Sequence, residues 1–184
     1  MALYKAIFCY LFGYCIVLHS WCFMGYGGSI NIRSGKKWEI MFLGEYRHSI
    51  DAKKRLSVPS KFRRDLGGSI VLTRGLDHSL FLYPREEWQK IAEKLSALPA
   101  GQADTRGFVR LMLAGAEEVA LDALGRVLIP EHLKAYARIR QHVIITGVYN
   151  RLEIWDEAMW SSYKKRMEKD ADALAEKLGE IGAF

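Results

Sequence analysis

The chain has 184 residues, with 27 Lys and Arg against 21 Asp and Glu for a formal net charge of +6, and half of it is hydrophobic. That is enough chain for one compact domain with a proper core. All three cysteines, Cys9, Cys15 and Cys22, lie near the start, which excludes a disulfide or thiolate-metal framework for everything from Met41 onward and suits a reducing compartment.

Residues 1–40 break in composition from the rest. Ala6 to Leu18 is an apolar run preceded by Lys5, without a clear small-x-small cleavage site after it. Extended to Tyr26 it just reaches spanning length. A signal-peptide core and a membrane anchor are the alternatives to the reading favoured here. In that reading residues 1–40 are a non-native or dispensable N-terminal extension, and the working chain begins at Met41.

From Met41 the elements follow in order. Phe42 to Ile50 is expected as a strand, with Tyr46, His48 and Ile50 alternating against Arg47 and Ser49. Asp51 to Lys54 is a turn, and Leu56 to Val58 a strand ended by Pro59. Ser60 to Leu66 is a short helix opened by that proline and stopped by Gly67-Gly68. Ser69 to Thr73 and Leu80 to Tyr83 are strands joined by a turn at Gly75 to His78. Pro84 opens a helix whose stripe is Trp88, Ile91, Leu95 and Leu98. After the break at Pro99-Ala100-Gly101, Asp104 is the expected N-cap of a helix carrying Phe108, Leu111 and Met112. Then come strand 117–121, turn 122–125, strand 127–129, helix 131–137, and strands 142–148 and 152–155 joined through Tyr149, Asn150 and Arg151. Asp156 caps a last helix with the stripe Trp160, Tyr163, Met167, Ala171, Leu174, Leu178 and Ile181, long enough to leave surface for a neighbouring subunit.

The second half repeats the first. Asp51 and Asp122, Arg55 and Arg126, and Pro59 and Pro130 are each 71 positions apart. Ile70-Val71-Leu72-Thr73 matches Val143-Ile144-Ile145-Thr146, Leu80–Tyr83 matches Leu152–Trp155, and Trp88 matches Trp160. Two copies suggest equivalent halves about a pseudo-twofold axis, and four short strands cannot bury two faces alone. The expected fold class is therefore a single α+β domain in which the halves pair into one β core.

Charge clusters in the first turn. Arg47, Lys53, Lys54, Arg55, Lys61, Arg63 and Arg64 face the single acid Asp51 between positions 47 and 64. Such a cluster is either a footprint for a polyanion or a solvated face. Asp51 and Asp122 sit where a carboxylate can accept backbone N–H bonds and pair with the arginine four positions on, bracing a turn. Arg55 and Arg126 either complete that brace or reach DNA, where a guanidinium grips phosphate or guanine bidentately. Lys53, Lys54, Lys61, Arg63 and Arg64 are candidates for phosphate contacts. His48 reads as an ordinary half-exposed strand residue, and Trp88, Trp155 and Trp160 as packing residues. Ser161-x-x-Lys164 lies on an amphipathic helix without partner motifs and reads as coincidence. The sequence holds no phosphate loop, no catalytic motif and no metal-ligand spacing, so no enzyme activity, cofactor or metal is expected.

Met41-Phe42-Leu43-Gly44-Glu45-Tyr46, Ile50 to Leu56, Val58 to Arg63, Thr73 to Asp77, Asp122 to Pro130 and Glu153-Ile154-Trp155 together resemble the MraZ family of bacterial transcription regulators, related to AbrB-type swapped-hairpin proteins. The resemblance covers essentially all of 41–184 and none of 1–40. It implies two swapped-hairpin, AbrB-like β half-barrels with flanking helices, the first repeat at 41–98, a connecting helix at 99–116, and the second repeat with its C-terminal helix at 117–184. It implies a ring-shaped homo-oligomer, cytoplasmic and nucleoid-associated. This would bind double-stranded DNA at promoter repeats of the division and cell-wall gene cluster, its own promoter included, with no small-molecule substrate and no membrane for 41–184. The alternative is an antitoxin-like protein-interaction module on the same fold. One departure stands out: the family pattern usually has glycine before both arginines, and here the second copy keeps Gly125 while the first has Lys54. If that position needs positive φ, Lys54 costs about 1 kcal/mol of strain. Either the first turn then differs, or Lys54 offsets the strain on phosphate.

Overall fold

The alternating apolar residues and the proline and glycine breaks yield eight strands and five helices among the described residues, which are 41–180 and 182 of a computed structural model. The expectations placed on residues 1–40 and on Ile181 lie outside them. In chain order the elements are β1 (Phe42–Ser49), β2 (Arg55–Ser57), α1 (Ser60–Leu66), β3 (Ile70–Arg74), β4 (Leu80–Pro84), α2 (Arg85–Ser96), α3 (Ala103–Leu113), β5 (Glu117–Val119), β6 (Arg126–Leu128), α4 (Glu131–Tyr136), β7 (His142–Tyr149), β8 (Arg151–Asp156) and α5 (Glu157–Glu180).

The six long-range strands form one antiparallel sheet in the order β1-β7-β8-β4-β3-β5, and β2 pairs with β6 in a separate two-stranded ribbon. Exchanging the two repeats reverses the sheet order onto itself. The pseudo-twofold therefore passes between β4 and β8, where Phe81 lies opposite Glu153, and through the ribbon, where Leu56 lies opposite Val127. Each repeat gives its first strand to the other: β1 pairs with β7 from Phe42↔Tyr149 to Ser49↔His142, and β5 pairs with β3.

The apolar residues explain the layering. Phe42, Leu56, Phe62, Leu66, Leu72, Leu82, Val127, Ile129, Leu133, Ile145 and Ile154 are buried in one cluster between the large sheet and the layer made by the ribbon, α1 and α4. Both repeats contribute, so neither closes this core alone. Deleting the buried side chain of Leu56 is expected to cost roughly 2–5 kcal/mol. On the opposite sheet face, Phe81 and Tyr83 pack with Leu95 of α2 and Met112 of α3, backed by Trp88, Ile91 and Val109. The corresponding surface of the second repeat holds Trp155, 3% exposed, against Trp160 and Tyr163 of α5, with ring centroids 5.4 and 5.0 Å away. Trp88, Trp155 and Trp160 are packing residues, as their spacing indicated.

Several boundaries differ from expectation. The strand expected at 56–58 is Arg55–Ser57, and Val58 instead donates its N–H to the carbonyl of Gly125 at 3.0 Å. The strand expected at 117–121 stops at Val119, because β3 offers partners only from Ile70 to Leu72. Asp104 does not cap α3. Gln102 stands at that position, and Asp104 lies inside the first turn, where a carboxylate still favours the helix dipole. Leu98 lies beyond the end of α2 and is exposed. Asp156 does cap α5, its Oδ1 accepting the N–H of Ala158 at 3.1 Å. No described residue of α5 is buried, and Leu174 and Leu178 face outward.

Candidate nucleic-acid interface

The ribbon alternates cleanly. Leu56, Val58, Val127 and Ile129 point into the core, while Arg55, Ser57, Arg126 and Leu128 face outward. Antiparallel register sets Arg55 against Leu128 and Ser57 against Arg126. The two arginines thus lie diagonally across the pseudo-twofold on one outer face.

Each arginine is fixed by its own turn. Asp51 Oδ1 accepts the N–H groups of Lys53 at 2.8 Å and Arg55 at 2.9 Å, while Oδ2 accepts Arg55 Nε at 2.8 Å and pairs with Nη2 at 2.8 Å. The second turn repeats this. Asp122 Oδ1 accepts Leu124 N–H at 3.0 Å and Arg126 N–H at 2.9 Å, and Oδ2 meets Arg126 Nε at 2.8 Å and Nη2 at 2.7 Å. Backbone bonds close both turns, Lys54 N–H to Asp51 O at 2.9 Å and Gly125 N–H to Asp122 O at 2.8 Å. These donors depress both carboxyls. The Arg126 guanidinium, followed by its own backbone N–H, holds Asp122 down to about 2. The backbone N–H of Arg55, then its guanidinium, lowers Asp51. Side-on pairing occupies Nε and Nη2 of each arginine and leaves Nη1 outside its own turn's pair.

The glycine departure resolves structurally. Lys54 has φ 60° and Gly125 φ 73°, so the turns match and Lys54 occupies the left-handed region that disfavours a side chain. Its ammonium meets Glu131 Oε2 at 2.7 Å, and its carbonyl accepts Ile129 N–H at 2.9 Å. At Gly125 a β-carbon would collide with the side chain of Arg63, which lies over the turn. Arg63 in turn donates Nε to the carbonyl of Val58 at 2.8 Å. The two halves therefore clasp each other's turns, Arg63 over Gly125 and Lys54 against Glu131.

This changes the electrostatics of the basic cluster. Arg47 pairs with Glu157 at 2.6 Å and Lys54 with Glu131, so acids from other elements dilute the excess seen in sequence, and Arg64 pairs with its own helix neighbour Asp65 at 3.0 Å. Lys61 turns back onto β1, donating to Leu43 O at 2.6 Å with its ammonium over the rings of Tyr46 and Phe62. Lys53 stands exposed at the tip of the first turn. His48 on β1 is half-buried, and burial, then the nearby Arg63 cation, pushes its pKa below the ordinary value. The structure thus gathers Asp51, Lys53, Lys54, Arg55, Asp122, Gly125 and Arg126 around one ribbon, with Arg63 packed against the second turn at Gly125 and Lys61 drawn away toward β1.

Sequence reasoning missed three residues here. Glu131 was unreadable as a partner of Lys54 because the pair spans the repeats. Leu124 and Leu128, both exposed beside the arginines, were legible in principle, since the 71-residue offset sets them against Lys53 and Ser57. Among the described residues no helix is long and apolar enough to cross a membrane, and no group of three His, Cys, Asp or Glu could hold a metal ion.

The architecture defines a class: an internally repeated α+β module that presents a two-stranded ribbon between two carboxylate-braced arginine turns. The family model described as MraZ protein, a family that description likens to antitoxins, matches residues 41–111 and again 112–179. A protein of Acetivibrio thermocellus named transcriptional regulator MraZ is 48% identical over 142 residues, covering 77% of this chain and 99% of the relative. Proteins of the same name from Carboxydothermus hydrogenoformans, at 46% over 138 residues, and Clostridium tetani, at 46% over 142, cover 75% and 77% of this chain and 96% and 99% of their own. The chain belongs to the MraZ family.

Proposed function

We propose that this protein is a transcription regulator, not an enzyme, that binds double-stranded DNA with the outer face of the β2–β6 ribbon. The observation that carries this reading is the pair of matched Asp-Arg turns brought onto one face across the pseudo-twofold, with the exposed cation Lys53 at a turn tip. A two-stranded ribbon fits the major groove. The aspartates hold each guanidinium in a fixed direction, so little conformational entropy is lost when Nη1 of Arg55 and Arg126 engages phosphate or a base edge. Lys53 supplies phosphate contact, with Lys54 and Arg64 exchanging their carboxylate partners for the DNA backbone. The names of the relatives support the same function.

The finer reading follows the family resemblance. The fold belongs with the AbrB-like swapped-hairpin proteins, supported by the exchange of β1 and β5 between repeats. The chain works as a ring-shaped homo-oligomer in the cytoplasm, associated with the nucleoid, on promoter repeats of the division and cell-wall gene cluster, its own promoter included. The outward stripe of α5 supports assembly. The repeats run 41–98 and 117–184 about a connecting helix at 99–116, and residues 1–40 are dispensable. A gel-retardation assay on the chain's own promoter DNA, with scrambled duplex as competitor, tests the proposal. Retention that survives scrambled competitor supports it, and equal loss to both duplexes refutes specific binding.

A further inference from the structure

The outer face of the ribbon is not symmetric in chemistry. Under the repeat, Lys53 corresponds to Leu124 and Ser57 to Leu128. Leu124 is 64% exposed and Leu128 54%, whereas the strand neighbours Val127 and Ile129 are fully buried. Alternation puts Leu128 on the face of Arg126, and register sets it directly against Arg55. Leu124 sits at the tip of the second turn, its N–H held by Asp122 Oδ1 at 3.0 Å.

One exposed leucine is ordinary. Here two of them occupy one side of a pseudo-symmetric ribbon whose other side carries Lys and Ser at the same places. Each side carries one arginine, but the first-repeat side adds the cation Lys53 and the second adds two exposed leucines flanking Arg126, within the width of two strands. A duplex major groove offers the complement at that scale: phosphates along its rim, and the thymine C5-methyl as its apolar feature on the floor.

Building on the DNA-binding reading above, we propose that Leu124 and Leu128 read thymine methyl groups, and that the ribbon engages its site in one orientation, with the Lys53 turn toward the backbone. Each leucine is held in place by backbone bonds, so the contact needs no rearrangement. Losing one methyl contact corresponds to about fourfold in affinity.

The test uses duplexes recovered by the full chain from a randomised pool. Each thymine is replaced in turn by deoxyuridine, which lacks only the methyl. Binding is measured for the unaltered chain, for Leu124→Ala and Leu128→Ala, and for Leu128→Thr, which keeps strand propensity. The expected result is that one or two replacements weaken the unaltered chain about fourfold each, while the leucine variants, with unchanged melting temperature, no longer sense them. Indifference of the unaltered chain to every replacement overturns the inference while leaving DNA binding intact. So does equal uridine sensitivity in the leucine variants. A change in their assembled mass with uridine sensitivity retained assigns the leucines to chain-to-chain contact instead. A pool that gives no enrichment over scrambled duplex removes the DNA-binding reading, and this inference with it.

Discussion

Arg126 of the second repeat brings its Nη1 to 3.9 Å from Oδ2 of Asp51 in the first, the carboxylate that already grips Arg55. Two turns 71 residues apart in sequence thus share charge across the pseudo-twofold, and the ribbon presents them as one unit. Neither turn's electrostatics belongs to one repeat alone, and substitutions in one are expected to be felt in the other.

Acid should loosen this unit. Asp122 is held near 2, below the roughly 3.9 of an unfolded aspartate, and Asp51 is lowered in the same sense. A depressed carboxyl contributes stability that is present above the unfolded value and lost as pH falls toward the folded one. Melting temperature should therefore drop between about pH 4 and pH 2, and Asp122→Asn should flatten that limb while lowering stability at neutral pH. An unchanged acid limb in Asp122→Asn would remove Asp122 from the brace.

The two pre-arginine positions should respond in opposite directions. Gly125→Ala meets both positive φ and the side chain of Arg63, and should destabilise by about 1–2 kcal/mol. Lys54→Gly relieves strain but frees the unfolded chain, for a net gain of no more than about 1 kcal/mol. Denaturant titration of both variants checks the order. A costlier Lys54→Gly would mean that the Glu131 pair outweighs the strain.

Lys53 should act on every duplex alike. Lys53→Ala is expected to weaken specific and scrambled DNA by similar factors and to reduce the slope of log affinity against log salt by about 1. Affinities measured over a salt series give the answer, and a loss confined to one sequence would make Lys53 a base reader.

How much of this was legible follows from the physics of each feature. The strands and the paired turns were readable because alternation and turn chemistry are local: Leu56 and Val127 mark the core face, and Asp51 and Asp122 fit only one way into their turns. The pairing of Phe42 with Tyr149 was not readable from the pattern, because period-two patterning says which face is buried and nothing about which strand lies alongside, and only the family resemblance implied swapped hairpins. The pairing within the basic cluster was unreadable for a similar reason, since Glu131 and Glu157 reach Lys54 and Arg47 from far along the chain. At the site, the positions of Arg55 and Arg126 were readable, but their side-on pairing needed coordinates.

A chain beginning at Met41 should fold, assemble and bind DNA as the full chain does, because the family match starts at residue 41 and the matched stretch covers 99% of the Acetivibrio thermocellus relative. Light scattering at micromolar concentration should give a mass well above a dimer. A monomer mass for the full chain would contradict the ring, and loss of folding on truncation would make residues 1–40 integral.

The most direct measurement is the affinity of Arg55→Ala and Arg126→Ala for the chain's own promoter duplex, taken together with melting temperature and assembled mass. Each variant should lose roughly 1–3 kcal/mol of specific binding while remaining folded and assembled. A substitution that lowers the melting temperature and disperses the assembly would assign that arginine to bracing its turn. Both variants folded, assembled and binding at full affinity would contradict the proposed ribbon interface.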